Sequence, residues 1–177
     1  VQPRRLCFLF RRFSSCCFFS GFCHTSVSSS PYFKLYLMAQ VHSHDKGFLS
    51  KDISVGALIE NRGDIHHLFP KKYLQSNGHN LRNDYNQIAN YVMTQSEINI
   101  RIKDDAPNVY MKKVLDQIDN QGPYIGAITT KEGLEESFRQ NCIPNEFINY
   151  TVENYFEFLQ QRRYLMAQKI KEYYFNL

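Results

Sequence analysis

The chain of 177 residues contains no tryptophan, no C-x-x-C pair and no glycine-rich phosphate loop. Its apolar runs are all shorter than the roughly 20 residues that a membrane-spanning helix needs, so we expect a soluble protein without a membrane partner. The absence of C-x-x-C pairs argues against a structural zinc knuckle. The length is sufficient for one domain with its own hydrophobic core.

Charge and cysteine content add weak constraints. The formal net charge of +4 is compatible with a polyanionic partner but does not require one. Four of the five cysteines lie within the first 23 residues, and only Cys142 follows them. A long segment with a single cysteine suits a reducing cytosol, so we expect a cytoplasmic protein.

Residues 1–30 differ in composition from the rest of the chain. They carry four arginines, many phenylalanines and cysteines and no acidic residue, and they end in a serine-rich stretch. A targeting peptide can look like this. A poorly folding leader, or the start of a fragment of a longer protein, explains the composition better. We therefore expect residues 1–30 to be disordered or to lie outside the fold.

From Pro31 onward the pattern becomes regular and predicts one α+β domain over residues 31–177. Strands are expected at residues 65–69, which Pro70 stops, and at residues 88–94. Residues 71–82 read as a polar loop with a turn at Asn77-Gly78. Helices are expected at residues 32–42, after N-caps at Ser54, Ser96 and Thr130, from Pro107 to Gly122-Pro123, and from Thr151 to the C-terminus.

The terminal helix carries an apolar stripe of helical period, and Arg162, Lys169 and Lys171 lie mostly off that stripe. Such a stripe usually belongs to the core or to a partner interface.

The most distinctive feature is the heptapeptide DIHHLFP at residues 64–70, followed by Asn90 and Asn99. Hydrolysis of a phosphodiester needs a base for the attacking water and positive charge for the phosphate and the leaving oxygen. A histidine near its ordinary pKa of about 6.5 and one divalent metal ion can supply these. The spacing therefore predicts a small metal-dependent site.

We assign a role to each of these residues. His67 would be the general base, and His66 and the amide oxygen of Asn99 would be metal ligands. Asn90 would hydrogen-bond across the loop and orient His67, while Asp64 would be an extra ligand or would support His66 from the same strand face. The alternative is that both histidines are buried structural residues and that the asparagines only cap helices and turns.

The adjacent histidines pose a geometric problem. On an ideal strand they point to opposite faces, so both serve one site only where the strand bends. Pro70 makes a distorted strand end plausible there. Five basic residues bracket the motif and are either phosphate contacts or a solvated basic face: Lys71, Lys72, Arg82, Arg101 and Lys103.

These residues resemble the HNH, or ββα-metal, nuclease superfamily. In that motif a metal-binding residue directly precedes the base histidine, which lies three residues before a proline, as His66, His67 and Pro70 do here. Asn90 and Asn99 match its middle asparagine and its terminal ligand. A closer resemblance is to the C-terminal nuclease domain of GmrSD-type modification-dependent restriction endonucleases. It covers residues 32–177 through KGFLSKDI (46–53), GDIHHLFPK (63–71), YNQIAN (85–90) and NCIP (141–144).

The resemblance implies an α+β fold with a ββα-metal core at residues 64–104, embedded in helices, and a helical part at 107–177. It implies a metal-dependent endonuclease acting on DNA, modified or unmodified, in restriction or phage defence. Larger members carry an N-terminal recognition or nucleotide-using domain, so such a domain or subunit is an expected partner. The alternative is a silent or truncated relative that binds DNA or a partner chain.

The metal ion stays open among Mg, Mn, Ni and Zn. His66 replaces the commoner Asp or Glu of the family, and imidazole suits Mn, Ni or Zn better than Mg.

Overall fold

A computed structural model describes residues 28–61, 63–120 and 124–177. The expectation for residues 1–30 therefore falls almost wholly outside the described residues, as does the expected helix stop at Gly122-Pro123. The described part is a mixed helix-and-sheet fold, which is compatible with the predicted α+β class.

Two short strands lie among eight α-helices in the described residues. Their order is α1 (Pro31–His42), α2 (Val55–Glu60), β1 (Asp64–His67), α3 (Lys71–Ser76), α4 (Arg82–Tyr85), β2 (Tyr91–Thr94), α5 (Ser96–Ile102), α6 (Pro107–Asn120), α7 (Lys131–Gln140) and α8 (Tyr155–Phe175). Short 3-10 turns occupy Ile88–Asn90, Asn145–Asn149 and Val152–Asn154. None of the described helices combines the length and apolar character needed to cross a membrane.

Several local predictions are confirmed. The Ser54 hydroxyl caps α2 by accepting from the Ala57 N–H at 3.1 Å. Thr130 caps α7 in the same way, through the Gly133 N–H at 3.1 Å. Pro107 is the first residue of α6, where its missing N–H costs nothing.

Other boundaries differ from the prediction. Ser96 is the first residue of α5, and the N-cap position belongs to Gln95. Strand β1 stops at His67, and residues 88–90 form a 3-10 turn before β2. Thr151 precedes a 3-10 turn, so α8 begins only at Tyr155.

The predicted loop at residues 71–82 is wrong, because α3 and the start of α4 occupy most of it. The turn at Asn77-Gly78 is present, with Gly78 at a φ of 93°. Helix α3 buries Leu74 completely. Tertiary burial of one apolar residue therefore stabilises a short helix whose polar sequence shows no periodicity of its own.

The two strands form an antiparallel sheet in which Asp64 pairs with Thr94 and His67 with Tyr91. The other edge of β2 is met by Phe48, whose N–H donates to the Met93 carbonyl at 2.8 Å. Helix α5 follows β2 after a single residue and contacts β1. The order is therefore strand, helical connection, strand and helix.

An aromatic core anchors the segment that follows β1. The Phe69 ring centroid lies 5.0 Å from that of Tyr155 and 5.1 Å from that of Phe158, and Phe158 in turn lies 5.1 Å from Phe147. All four rings are buried. Because Phe69 is two residues from His67, the end of β1 is held directly by the core.

The apolar stripe of α8 is core, since Tyr155, Phe158, Leu159, Met166 and Ile170 are all buried.

Arg162, expected to lie off this stripe, is instead completely buried. Its Nη1 donates to the Ala89 carbonyl at 2.7 Å, and its Nε and Nη2 donate to the Asn141 carbonyl at 3.3 and 3.2 Å. These bonds explain how a guanidinium is tolerated in the interior.

Candidate functional site

The three residues predicted to bind metal lie together. His66 Nδ1 is 2.6 Å from Asn99 Oδ1, and Asn99 Nδ2 donates to Asp64 Oδ2 at 3.3 Å. His66 and Asp64 are two residues apart on β1 and so share a face of the strand. Helix α5 supplies Asn99 from the other side. The fold thus brings together one imidazole, one amide oxygen and one carboxylate.

The His66 ring is buried, with 4% of the residue exposed. Burial lowers its pKa from 6.5 to about 4, against the raising effect of the Asn99 hydrogen bond, so the ring is neutral at pH 7. Asn99 Oδ1 can only accept, so Nδ1 carries the proton, while Nε2 is buried without a hydrogen-bond partner among the described residues. Moving that proton to Nε2 would free the lone pair of Nδ1. Nδ1 and Asn99 Oδ1 could then both donate electron pairs to one cation.

His67 sits in a different environment. Its Nε2 is 3.0 Å from Asn86 Oδ1, and its ring meets Tyr91 edge-on with centroids 5.0 Å apart. Because Asn86 Oδ1 only accepts, Nε2 carries the proton and Nδ1 keeps its lone pair. Burial lowers the pKa of His67, the Asn86 hydrogen bond raises it, and the charge of Lys71 lowers it. At neutral pH the ring can therefore accept a proton.

The Asn90 side chain hydrogen-bonds across the loop, as predicted, but its partners are backbone groups and not the His67 ring. Its Oδ1 accepts from the Phe69 N–H at 2.8 Å, and its Nδ2 donates to the carbonyls of Phe69 and Tyr85, both at 3.1 Å. Asn90 therefore spans the connection and fixes the backbone just beyond His67. The residue that bonds the ring is Asn86, which sequence reasoning missed although it lies in the quoted 85–90 motif.

The two adjacent histidines do reach one small cleft, with a volume of about 150 Å³. The strand ends at His67 and the chain bends at Leu68, so the ideal alternation of an extended strand is lost directly after His67. The cleft is lined by Ile65, His66, His67, Pro70, Lys71, Asn99, Lys103 and Asp104.

The five basic candidates divide by position. Lys71 and Lys103 line the cleft. Lys72 forms an exposed ion pair with Asp104 at 3.1 Å. Arg82 is exposed at the start of α4 and lies close enough to Tyr91 to act electrostatically on the pKa of its hydroxyl. Arg101 faces another opening, where its Nη1 donates to the Tyr124 carbonyl at 2.8 Å.

Across the described ranges, no three or more His, Cys, Asp and Glu side chains cluster in a way that could hold a metal ion. A cation at the cleft would therefore depend first on His66 and the Asn99 amide oxygen, because Asp64 contacts Asn99 but does not line the cleft. The neutral imidazole, the amide oxygen and the nearby carboxylate are suitable donors for a divalent ion, so the residues fit such a site.

Two of the motifs outside the cleft contact each other. Asn141 Nδ2 donates to the Lys46 carbonyl at 3.1 Å, which joins the 141–144 and 46–53 motifs. Arg162 links the Asn141 carbonyl to that of Ala89, beside Asn90. These motifs thus support the backbone that carries the candidate site.

Comparison of the chain with protein-family models, curated proteins and solved structures gives no match.

Proposed function

We propose that this protein is a metal-dependent endonuclease that hydrolyses phosphodiesters in DNA. The observation that carries the proposal is the meeting of His66, His67 and Asn99 in one cleft that Lys71 and Lys103 also line. Both histidines are neutral at pH 7, one beside two oxygen donors and the other with an available ring nitrogen. The order around them, strand, helical connection, strand and helix, is compatible with a ββα-metal core.

His66 and Asn99 would hold one divalent ion, with Asp64 as a further ligand or as support for Asn99. So few protein ligands would leave positions for water and phosphate, as a catalytic site requires. When bound, the ion would neutralise charge on the phosphate and stabilise the leaving oxygen. The imidazole favours Mn, Ni or Zn over Mg.

His67 would act as the general base. Its Nδ1 would take the proton of the attacking water, while the Nε2–H bond to Asn86 holds the ring in the required tautomer. Packing of the ring against Tyr91 limits its rotation. A positioned base of this kind accelerates such a reaction by about 10²–10⁴.

The two lysines that line the cleft suit an anionic backbone, and the net charge of +4 does not oppose it. The resemblance to GmrSD-type endonucleases extends the proposal to restriction or phage defence and to modified DNA. A separate recognition domain or subunit would then select the target.

The first test is cleavage of supercoiled plasmid, unmodified and glucosyl-hydroxymethylated, with Mg²⁺, Mn²⁺, Ni²⁺ or Zn²⁺. The wild type is compared with His67→Ala and with the matched control His42→Ala, whose ring packs on Tyr173 away from the cleft. We expect metal-dependent cutting that His42→Ala keeps and His67→Ala loses.

Cutting that survives in His67→Ala would contradict the base assignment. Metal-dependent DNA binding without cutting under any condition would favour the alternative of a catalytically silent relative. A calorimetric titration with Mn²⁺ tests the metal site separately. It compares the wild type with the double variant His66→Ala/Asn99→Ala.

A further inference from the structure

Lys103 has an unusual backbone for a lysine. It follows the last residue of α5 and adopts a φ of 56° and a ψ of −128°. Side chains with a Cβ rarely adopt this combination, which is typical of glycine and stores strain in other residues. Its N–H still donates to the Asn99 carbonyl at 3.2 Å, so the same residue closes the helix that carries Asn99.

This strained residue lines the cleft together with His66, His67 and Asn99. Its ammonium has no hydrogen bond or ion pair with any residue that the structure describes. The neighbouring cations are engaged, since the Lys71 ammonium lies 5.1 Å from the centre of the Tyr85 ring and Lys72 pairs with Asp104. Within the part of the chain that the structure describes, Lys103 is therefore the cleft lysine whose ammonium has no hydrogen bond, ion pair or aromatic ring contact.

Helix closure alone does not account for a lysine here. Glycine would close α5 without strain, and Arg101 already places a positive charge in its last turn, where the helix dipole favours it. A positive φ does not by itself mark a site, because His44, Leu49 and Cys142 also have one. Lys103 differs from these three residues in lining the cleft, and strained residues beside a site are often part of its function.

We propose that Lys103 contacts a backbone phosphate of the bound DNA, and that the fold accepts the strained backbone in order to hold its ammonium at the cleft. This inference rests on the proposed nuclease function and adds to it a substrate-binding residue that lowers folding stability.

Two variants separate the charge from the strain. Lys103→Gly removes both, whereas Lys103→Ala removes the charge and keeps a Cβ at the positive φ. We expect thermal unfolding of Lys103→Gly to occur about 2–4 °C above that of Lys103→Ala. His44→Gly is the matched control, because His44 is exposed and has a φ of 54° outside the cleft.

DNA binding is measured by fluorescence anisotropy with a short labelled duplex in EDTA, so that neither metal nor turnover contributes. In both Lys103 variants, the slope of log affinity against log salt concentration should become less negative by about one unit, the change expected for the loss of one phosphate contact. Cleavage should fall about 10- to 100-fold. His44→Gly should keep the wild-type slope and cleavage, and Lys103→Arg should restore both.

The outcomes are separable. If the wild type binds and cuts but both Lys103 variants keep the slope and the rate, the phosphate contact is refuted while the nuclease function stands. Equal unfolding temperatures for Lys103→Gly and Lys103→Ala would refute the proposed backbone strain at Lys103. If the wild type neither binds nor cuts DNA, the proposed function falls and this inference falls with it.

Discussion

The Asn90 side chain pairs with both backbone polar groups of Phe69, accepting its N–H at 2.8 Å and donating to its carbonyl at 3.1 Å. The Asn90 carbonyl also accepts the Leu68 N–H at 2.9 Å. One residue thereby replaces the strand pairing that is lost where the chain bends after His67. The proposed base, His67, is therefore followed directly by a backbone segment whose N–H and carbonyl groups are hydrogen-bonded.

Asn90→Ala should lower the free energy of unfolding by about 2–5 kcal/mol, because it leaves buried polar groups of Phe69 and Tyr85 without their partner. Urea denaturation measures the change. Asn86→Ala is the comparison, since Asn86 is half-buried and its side chain bonds the His67 ring and not a buried backbone group. The cost of this variant should stay below about 1.5 kcal/mol. Equal costs for the two variants would contradict the different roles that we assign to these asparagines.

Asn86 should matter for turnover rather than for folding. Asn86→Ala should reduce plasmid cleavage at pH 8 about 10- to 100-fold, since the His67 ring loses the acceptor that holds its Nε2–H. Asn86→Asp keeps an acceptor and should retain most of the activity at this pH. Retained activity in Asn86→Ala would show that packing against Tyr91 is enough to hold the ring.

The pH dependence of cleavage should follow His67. Its pKa lies below 6.5, chiefly through burial, and the proposed base must be neutral. Cleavage should therefore be level near pH 7 and fall only as the pH drops through the lowered pKa. Because the Lys71 charge helps to lower the pKa of His67, Lys71→Met should raise that pKa and move the acid limb of the kcat/KM profile to higher pH. A limb that stays in place in Lys71→Met would contradict this coupling.

Stability of the metal-free protein should depend on His66. The folded-state pKa is about 4 and the ordinary value is 6.5, so between these values the unfolded chain binds more protons. Stability is then fully present above pH 6.5 and is lost as the pH falls toward 4, by up to about 3 kcal/mol. Urea denaturation in EDTA across this range, compared with His66→Gln, isolates the effect. Parallel curves for the two proteins would refute it.

Local signals in the sequence were enough for much of the fold. Hydroxyl caps at Ser54 and Thr130, the proline that begins α6 and the apolar period of α8 act within a few residues, so they can be identified without knowing the tertiary contacts. The spacing of His66, His67 and Asn99 likewise identified residues that meet at one cleft.

Contacts between distant segments decided the rest. The partner of His67 is Asn86, Asn90 bonds backbone rather than the ring, and Arg162 is buried because Ala89 and Asn141 offer it carbonyls. Which lysines reach the cleft depends on where α3 and α5 pack, and α3 itself exists because Leu74 enters the core. Residue type and spacing describe what a side chain can bind, but burial and hydrogen-bond partners arise only when separate segments of the chain come together.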